Sequence, residues 1–241
     1  MSTLIKFITA FILSLTLCSC QFGFIGTGEK GNGNVVTEDR NIEGSFNAIE
    51  ASEGLDVIVH QDNELRVSVE ADENLQDLII TEIKGNTLKV HCEKAIGWAS
   101  AKKVFVSMPD VAKLESNSGA ELWSTGVIKA STLHLRTSSG ADIRVEVESD
   151  DIVLESSSGS DLDVRGMTTN LTAHASSGSD IDASGLTALN AKAEASSGAD
   201  IKVNATDKID VRTNSGGDVH YIGNPAIVQK KGSTPEKIFK D

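Results

Sequence analysis

The chain is short of the residues that usually fill a globular core. Only 4% of it is aromatic, with two tryptophans and one tyrosine. The 39% that is hydrophobic must therefore come mostly from Val, Ile, Leu and Ala. Three prolines exclude a proline-rich linker, and three cysteines are too few for a dense disulfide framework. No apolar run approaches the ~20 residues that a bilayer-spanning helix needs. Positive charge is scarce too: 22 Lys and Arg face 35 Asp and Glu, a formal charge of −13. Such a surface repels phosphate backbones and anionic headgroups, so nucleic acid is not an expected partner. HExxH, GxSxG, CxxC and GKS or GKT loops are missing, and the five histidines share no ligand spacing.

What is present begins with a leader over 1–19. Lys6 supplies a small positive region, and Phe7–Leu17 is a mostly apolar run of the length that suits a secretory signal. It ends Leu17-Cys18-Ser19-Cys20, aliphatic at −3, small at −1 and cysteine at +1, which is similar to a bacterial lipobox. That resemblance implies lipidation at Cys20 and a membrane partner held through the lipid. An ordinary signal peptide ending near a cysteine is the alternative. Gln21, not Asp, follows, which by analogy with enterobacterial sorting favours the outer membrane; the side faced is left open. Removal of the leader takes Lys6 and shifts the formal charge from −13 to −14. Cys92 is then the one cysteine of the body, read as a strand residue in TLKVHCEK, with a catalytic thiol as the alternative. Residues 20–40, rich in Gly, Asn and Thr, read as a flexible tether. The domain is expected over 41–231, with 232–241 as a tail.

Residues 41–112 alternate in the manner of strands. Leu55, Val57 and Val59 share a face, Gln61-Asp62-Asn63-Glu64 turns, and Leu65, Val67 and Val69 resume, which predicts a hairpin. DENLQDLI at 72–79 breaks the period and predicts one or two helical turns. LIITEIKGNTLKVHC predicts a second hairpin turning at Lys84-Gly85-Asn86. Val104, Val106 and Met108 form a strand before Pro109.

One phrase then recurs six times: NSGAEL at 117–122, SSGADI at 138–143, SSGSDL at 157–162, SSGSDI at 176–181, SSGADI at 196–201 and NSGGDV at 214–219. Its first glycines, Gly119, Gly140, Gly159, Gly178, Gly198 and Gly216, follow one another at nearly even steps. A repeat of about 20 residues is the mark of a solenoid, in which each unit buries its apolar face against its neighbours. The expected fold is all-β: a parallel β-helix-like solenoid with about 20-residue coils and an N-terminal part of β-hairpins. An antiparallel sandwich is the coarse alternative.

These stretches carry a resemblance. FNAIEASEGLDVIVHQ, KGNTLKVHC, VFVSMPDVAKLESNSGAEL, the SSG-[AS]-D phrases and the closing YIGNPAIV together resemble the head GIN domain family over roughly Ser45–Lys231. That family carries the name of an auto-transporter adhesin and is common among envelope lipoproteins. The resemblance implies a β-helix-like fold and brings no catalytic residues. No literal Gly-Ile-Asn tripeptide is present.

With the first glycine of each phrase set to zero, alternation assigns columns −7, −5, −3, −1, +1 and +3 to the inside. Columns −7, −5 and +3 are apolar throughout. Column −1 is serine six times, Ser118, Ser139, Ser158, Ser177, Ser197 and Ser215, and is expected to form a buried hydroxyl ladder intolerant of size. Glycine at zero permits either a bend or a close backbone approach. Outward column −4 alternates in sign: Glu115, Arg136, Glu155, His174, Glu194, Arg212. Outward column +2 is acidic six times: Glu121, Asp142, Asp161, Asp180, Asp200 and Asp218. Unit charges ~4.8 Å apart repel by about 1 kcal/mol in water and more nearer the protein. Either each carboxylate caps backbone N–H groups at its bend, or the row is a binding face for cations, Ca²⁺ among them, or for glycan hydroxyls.

The expected function is a non-enzymatic envelope binding or adhesion module presenting this Ser-Gly-x-Asp face to a glycan, cation or envelope protein, with no resident cofactor and an open oligomeric state. The alternatives are a structural or stress-related envelope lipoprotein and a polysaccharide-active β-helix enzyme, in which Asp142, Asp161 and Asp163 with Arg144 or Arg165 would be the cluster. The leader makes the first testable statement. Cys20→Ala is expected to leave the protein soluble or held as precursor; a mature-size, acylated variant still in the membrane fraction would refute the lipobox reading.

Overall fold

In the computed structural model, which describes residues 28–233 and 237–241, the chain turns at the Ser-Gly pair of each phrase. The leader and Cys20 lie outside the described residues. The six serines of column −1 have φ between +49° and +60°, and the glycines that follow lie between +65° and +79°. Two successive positive φ values mark the centre of a type I′ turn. Where the closing bond forms, the N–H of Ala120, Ala199 and Gly217 donates to the carbonyls of Asn117, Ser196 and Asn214 at 3.0–3.2 Å. A Cβ built on any of the six glycines would meet nothing within 4 Å. Glycine is there for its conformation, and the close-approach reading falls.

The strands follow from these turns. First come β1 (Val35–Arg40), β2 (Ala48–Ala51), β3 (Asp56–Gln61), β4 (Arg66–Asp72), a 3-10 helix at Glu73–Leu78, β5 (Ile79–Lys84), β6 (Thr87–Cys92), β7 (Lys102–Met108) and β8 (Lys113–Asn117). Then β9 (Glu121–Ser138), β10 (Asp142–Ser157), β11 (Asp161–Ser176), β12 (Asp180–Ser196) and β13 (Asp200–Asn214) each make most of a coil. β14 (Asp218–Ile222), β15 (Ile227–Gly232) and β16 (Ile238–Lys240) close the far end. The whole is a β-solenoid of about seven turns with ~19-residue coils and 69% strand. Pairing from β9 to β14 is parallel, and its register lays each acidic residue on the next: Glu121 on Asp142, Asp142 on Asp161, Asp161 on Asp180, Asp180 on Asp200 and Asp200 on Asp218.

The core is filled by the expected apolar columns. Leu135, Leu154, Ile143, Leu162, Ile181, Ile201 and Val211 are all buried, each such side chain contributing roughly 1.5–3 kcal/mol relative to exposure. Column −1 is a correction. Its serines are exposed, because two αL residues in a row break the alternation and turn the serine side chain outward. The buried hydroxyls sit on either side, at −3 and +1. Thr137, Ser156 and Ser160 form a closed cluster: Thr137 donates to Ser156 Oγ at 2.9 Å, and Ser160 Oγ lies 3.0 Å from both. Ser116 Oγ donates to the Ala120 carbonyl and Ser179 Oγ to the Ser176 carbonyl.

The N-terminal part departs further. β5 and β6 form the expected antiparallel hairpin about Gly85-Asn86. β3 and β4 do not pair. β7 lies between them, parallel to β3 and antiparallel to β4. It supplies Val104, Val106 and Met108 to the core, and the link 62–65 is long enough to step over one strand. The expected tether is a correction too, over 28–40. β1 pairs antiparallel with β4, and Glu29 bridges to Ile96. The expected tail likewise joins the sheet: β16 pairs with β14 and buries Ile238.

Asp72 pins the N-terminal segment. Its buried carboxylate accepts the N–H groups of Gly33 at 2.5 Å, Ser100 at 2.7 Å and Ala101 at 3.1 Å. Burial pushes its pKa up, but these donors outweigh burial and hold it below the usual carboxylate value. A depressed folded-state pKa adds stability above the unfolded value and loses it as pH falls through the folded one. Asp72→Asn is therefore expected to lower the Tm at neutral pH, to speed exchange of the Gly33 and Ser100 amides, and to flatten the acid limb of the stability curve. The turn yields a second expectation. Ser156→Leu or Ser160→Leu should cost roughly 2–4 kcal/mol by overpacking and by orphaning hydroxyl partners. Ser158→Leu, exposed on the turn, should cost about 1 kcal/mol or less. Equal melting temperatures for the two classes would overturn this assignment of faces.

Candidate functional site

The acidic column is longer than the six phrases indicate. Ser52-Glu53-Gly54-Leu55-Asp56-Val57 is a seventh, degenerate phrase, with Glu53 at φ +62°, Gly54 at +71°, and Leu55 and Val57 buried. Its Asp56 stacks on Glu121 across β3 and β9. The signal was available as S-x-G-x-D-V, hidden by the long insertion between Gly54 and Gly119 that holds β4–β8. Seven carboxylates thus run in file, with a lysine near each end. Lys103 neighbours Asp56 in β7 with its ammonium on Glu70 at 3.4 Å, and Lys237 Nζ lies 3.0 Å from the Asp218 carboxylate.

Beside this row runs column +4: Trp123, Arg144, Asp163, Asp182, Lys202 and His220. The two columns form the walls of a groove of about 340 Å³ over Asp142, Asp161, Asp180 and Asp200, with Arg144, Asp163, Asp182 and Lys202 alongside. Arg144 leans on Asp142 at 3.6 Å and Glu121 at 3.9 Å, and Arg165 on Asp163 at 3.3 Å. Asp182 accepts the hydroxyl and N–H of Ser184 at 2.5 and 3.0 Å; burial raises its pKa and these bonds more than reverse it. Asp161, Asp180 and Asp200 make no ion pair or side-chain hydrogen bond with any described residue. The backbone-capping reading of the row is thereby not supported. The N–H of each of these residues is committed to the coil before, Asp161 to Ala141 at 3.1 Å and Asp180 to Ser160 at 3.0 Å, and the carboxylates stand free.

The carboxylates are strung out, not convergent. Among the described residues no group of three or more His, Cys, Asp or Glu side chains could hold a metal ion, so Ca²⁺ finds no preformed cage on the row. Asp142, Asp161 and Asp163 are placed in line with Arg144 and Arg165, but both guanidiniums are engaged by neighbouring carboxylates. Cys92 is buried against Glu53, and burial first, then that carboxylate, pushes its thiol up to about 11, the opposite of an activated nucleophile.

Column −4 is a charge ladder on the other side of the turn. It runs from Lys89 and Glu50, 2.8 Å apart, through Arg136 between Glu115 and Glu155 at 3.9 and 4.0 Å, to His174 and Arg212 on Glu194 at 3.8 and 4.0 Å. These pairs range from half-buried to exposed, several are long, and each contributes little, ~0–1 kcal/mol. Their value is the contrast with column +2, which has the same spacing and one sign.

A model of the family described as "putative auto-transporter adhesin, head GIN domain" matches residues 45–225. The chain belongs to that family. A head GIN protein is by that description a cell-surface or envelope protein with a binding role. Three solved structures are similar in fold. A putative adhesin of Bacteroides fragilis superposes with TM-score 0.78 at 20% identity, covering 88% of this chain and 99% of that one. A putative lipid binding protein of Parabacteroides distasonis gives 0.70 at 20%, covering 88% and 99%. A putative adhesin of Parabacteroides merdae gives 0.67 at 18%, covering 88% and 98%. At these identities the likeness is one of fold. No curated protein matches the sequence.

Repulsion in the row has a measurable sign. Burial first, then the charges of Asp180 and Asp218, raises the Asp200 pKa, against His220 and Lys237, which lower it. A raised folded-state pKa means that ionisation costs stability at all pH values above it and nothing below the ordinary carboxylate range. Asp200→Asn should raise the Tm at pH 7, with the gain vanishing in acid, and Asp180→Asn, which removes one of the like charges that raise the Asp200 pKa, should lower that pKa. Destabilisation at pH 7 would show that these carboxylates hold the fold together after all.

Proposed function

We propose that this head GIN protein is a non-enzymatic binding module, lipidated at Cys20 and held at the outer membrane, whose acidic groove takes the hydroxyl groups of a glycan. The observation that carries this is the row of free carboxylates at Asp161, Asp180 and Asp200, flanked by the cations Arg144 and Lys202. Carboxylates ~4.8 Å apart accept hydrogen bonds from vicinal hydroxyls, and the flanking donors add orientation. A row kept acidic at some cost in stability fits a surface that serves a ligand better than one that serves only the fold. The family's adhesin description supports a binding role. The lipid binding named for the Parabacteroides distasonis protein is the second reading, and the same experiment addresses it.

The full chain is to be applied to arrays of neutral and acidic glycans and to lipid strips, with Ca²⁺ and with chelator. Binding of a glycan that falls at least about tenfold, some 1.4 kcal/mol, in Asp161→Asn/Asp180→Asn supports the groove. Binding indifferent to those substitutions, or confined to lipid, refutes it.

A further inference from the structure

Trp98 is the most exposed large apolar side chain among the described residues, 63% accessible in a chain with two tryptophans. It stands on the loop 93–101 between β6 and β7, at the end of the solenoid where β5 and β1 are the edge strands. The same loop receives the first described residues. Glu29 N–H donates to the Ala95 carbonyl at 2.9 Å, Gly97 N–H to the Glu29 carbonyl at 2.9 Å, and Gly31 N–H to the Trp98 carbonyl at 2.8 Å. Gly28 lies so close to Gly97 that a Cβ there would collide with the backbone of the loop.

The point where the described chain begins is therefore bonded to the loop that carries the exposed indole. Cys20 lies eight positions before Gly28. A stretch of that length, fully extended, reaches at most about 29 Å. The eleven-strand path from β1 to β16 spans about 48 Å at the usual strand spacing. A lipid on Cys20 thus holds the Trp98 pole, and not the far pole, at the membrane. Charge agrees. Segments 28–34 and 93–100 contain Glu29, Lys30, Glu93 and Lys94 and are neutral together, while the long groove face carries the acidic row. An anionic headgroup surface repels that face more than it repels the neutral segments that carry Trp98.

We propose that Trp98 is a membrane-interface residue: it enters the headgroup layer beside the lipid anchor and stands the solenoid on its N-terminal pole, with the acidic groove turned to the side. An indole is suited to this position, with an apolar body and an N–H for the wet boundary. The inference rests on lipidation at Cys20, and the test separates the two. Lipidated full-length protein carrying Trp123→Phe, with Trp98 as its only tryptophan, is to be incorporated into phosphatidylcholine/phosphatidylglycerol vesicles with and without brominated acyl chains. The expected result is a blue-shifted emission that the brominated lipid quenches. The reciprocal Trp98→Phe protein, reporting through Trp123 on the groove side, should show no quenching. Protein that floats with the vesicles while Trp98 is unquenched refutes the interfacial role and leaves the anchor standing. Quenching of Trp123 as well refutes the upright orientation. Protein that does not float refutes the anchor and the inference with it.

Discussion

Everything in this molecule depends on one constraint, the in-register parallel ladder of backbone hydrogen bonds from coil to coil. Because Asp142 pairs with Asp161 and Asp161 with Asp180, each side chain must live beside its own counterpart about 4.8 Å away. Apolar columns profit, since a leucine stacked on a leucine is a core. Hydroxyls and amides profit if they can chain: Asn190 donates to Asn170 at 3.0 Å, and Asn170 to Asp151 at 2.8 Å. Charges profit only by alternating, as Glu115, Arg136 and Glu155 do. A column of one sign cannot satisfy the ladder from within, so the acidic row is where the architecture and the surface chemistry pull apart.

The turn makes the ladder repeatable. A Ser-Gly pair with both φ values positive reverses the chain within one turn and keeps the flanking strands in phase. The turns also stack: the Gly140 N–H donates to the Ser158 carbonyl at 3.2 Å, and Gly159 to Ser177 at 3.3 Å. Serine at −1 accepts a conformation that disfavours L-residues by roughly 1–2 kcal/mol, which a bulky or β-branched side chain would worsen. Serine fills that position in six of the seven phrases and Glu53 in the other, each with a positive φ, so the backbone sets the conformation and the serine hydroxyls face water.

Much of the fold was legible because a solenoid is nearly one-dimensional. The period, the parallel pairing, the apolar columns at −5 and +3 and the alternating column at −4 can be read from the phrases alone. What misled was local. Alternation carried through the turn puts Ser158 inside, because nothing in the letters SSG says that two residues are left-handed. Leu55–Val59 and Leu65–Val69 read as a hairpin because contiguous strands usually pair; β7, which the chain reaches only after the β5–β6 hairpin, takes the place between them. Gly, Asn and Thr in 28–40 read as tether, since the partner that orders them, Asp72, is a single buried carboxylate with no sequence signature. At the candidate site six of seven carboxylates were legible. Asp56 was missed because Glu53 and Leu55 disguise its phrase, and Lys237 because the last phrase had already been counted.

The ends explain why the row can exist at all. A solenoid must stop, and an open coil would expose a sheet edge and the core beneath it. Here the N-terminal end is closed by β1, β4 and β7, two of whose pairings run antiparallel, and by the segment that Asp72 holds. The far end is closed by β15 and β16. Each closure brings a lysine near the row: Lys237 pairs with Asp218 at 3.0 Å, while Lys103 neighbours Asp56 in register and pairs with Glu70 at 3.4 Å. The excess charge is left to the middle coils. There Asp161, Asp180 and Asp200 have no ion-pair partner among the described side chains, and an external group can reach three of them together. The capping of the fold and the charge of the row are in this sense linked: the cap at the far end meets Asp218 and leaves the carboxylates of the middle coils open.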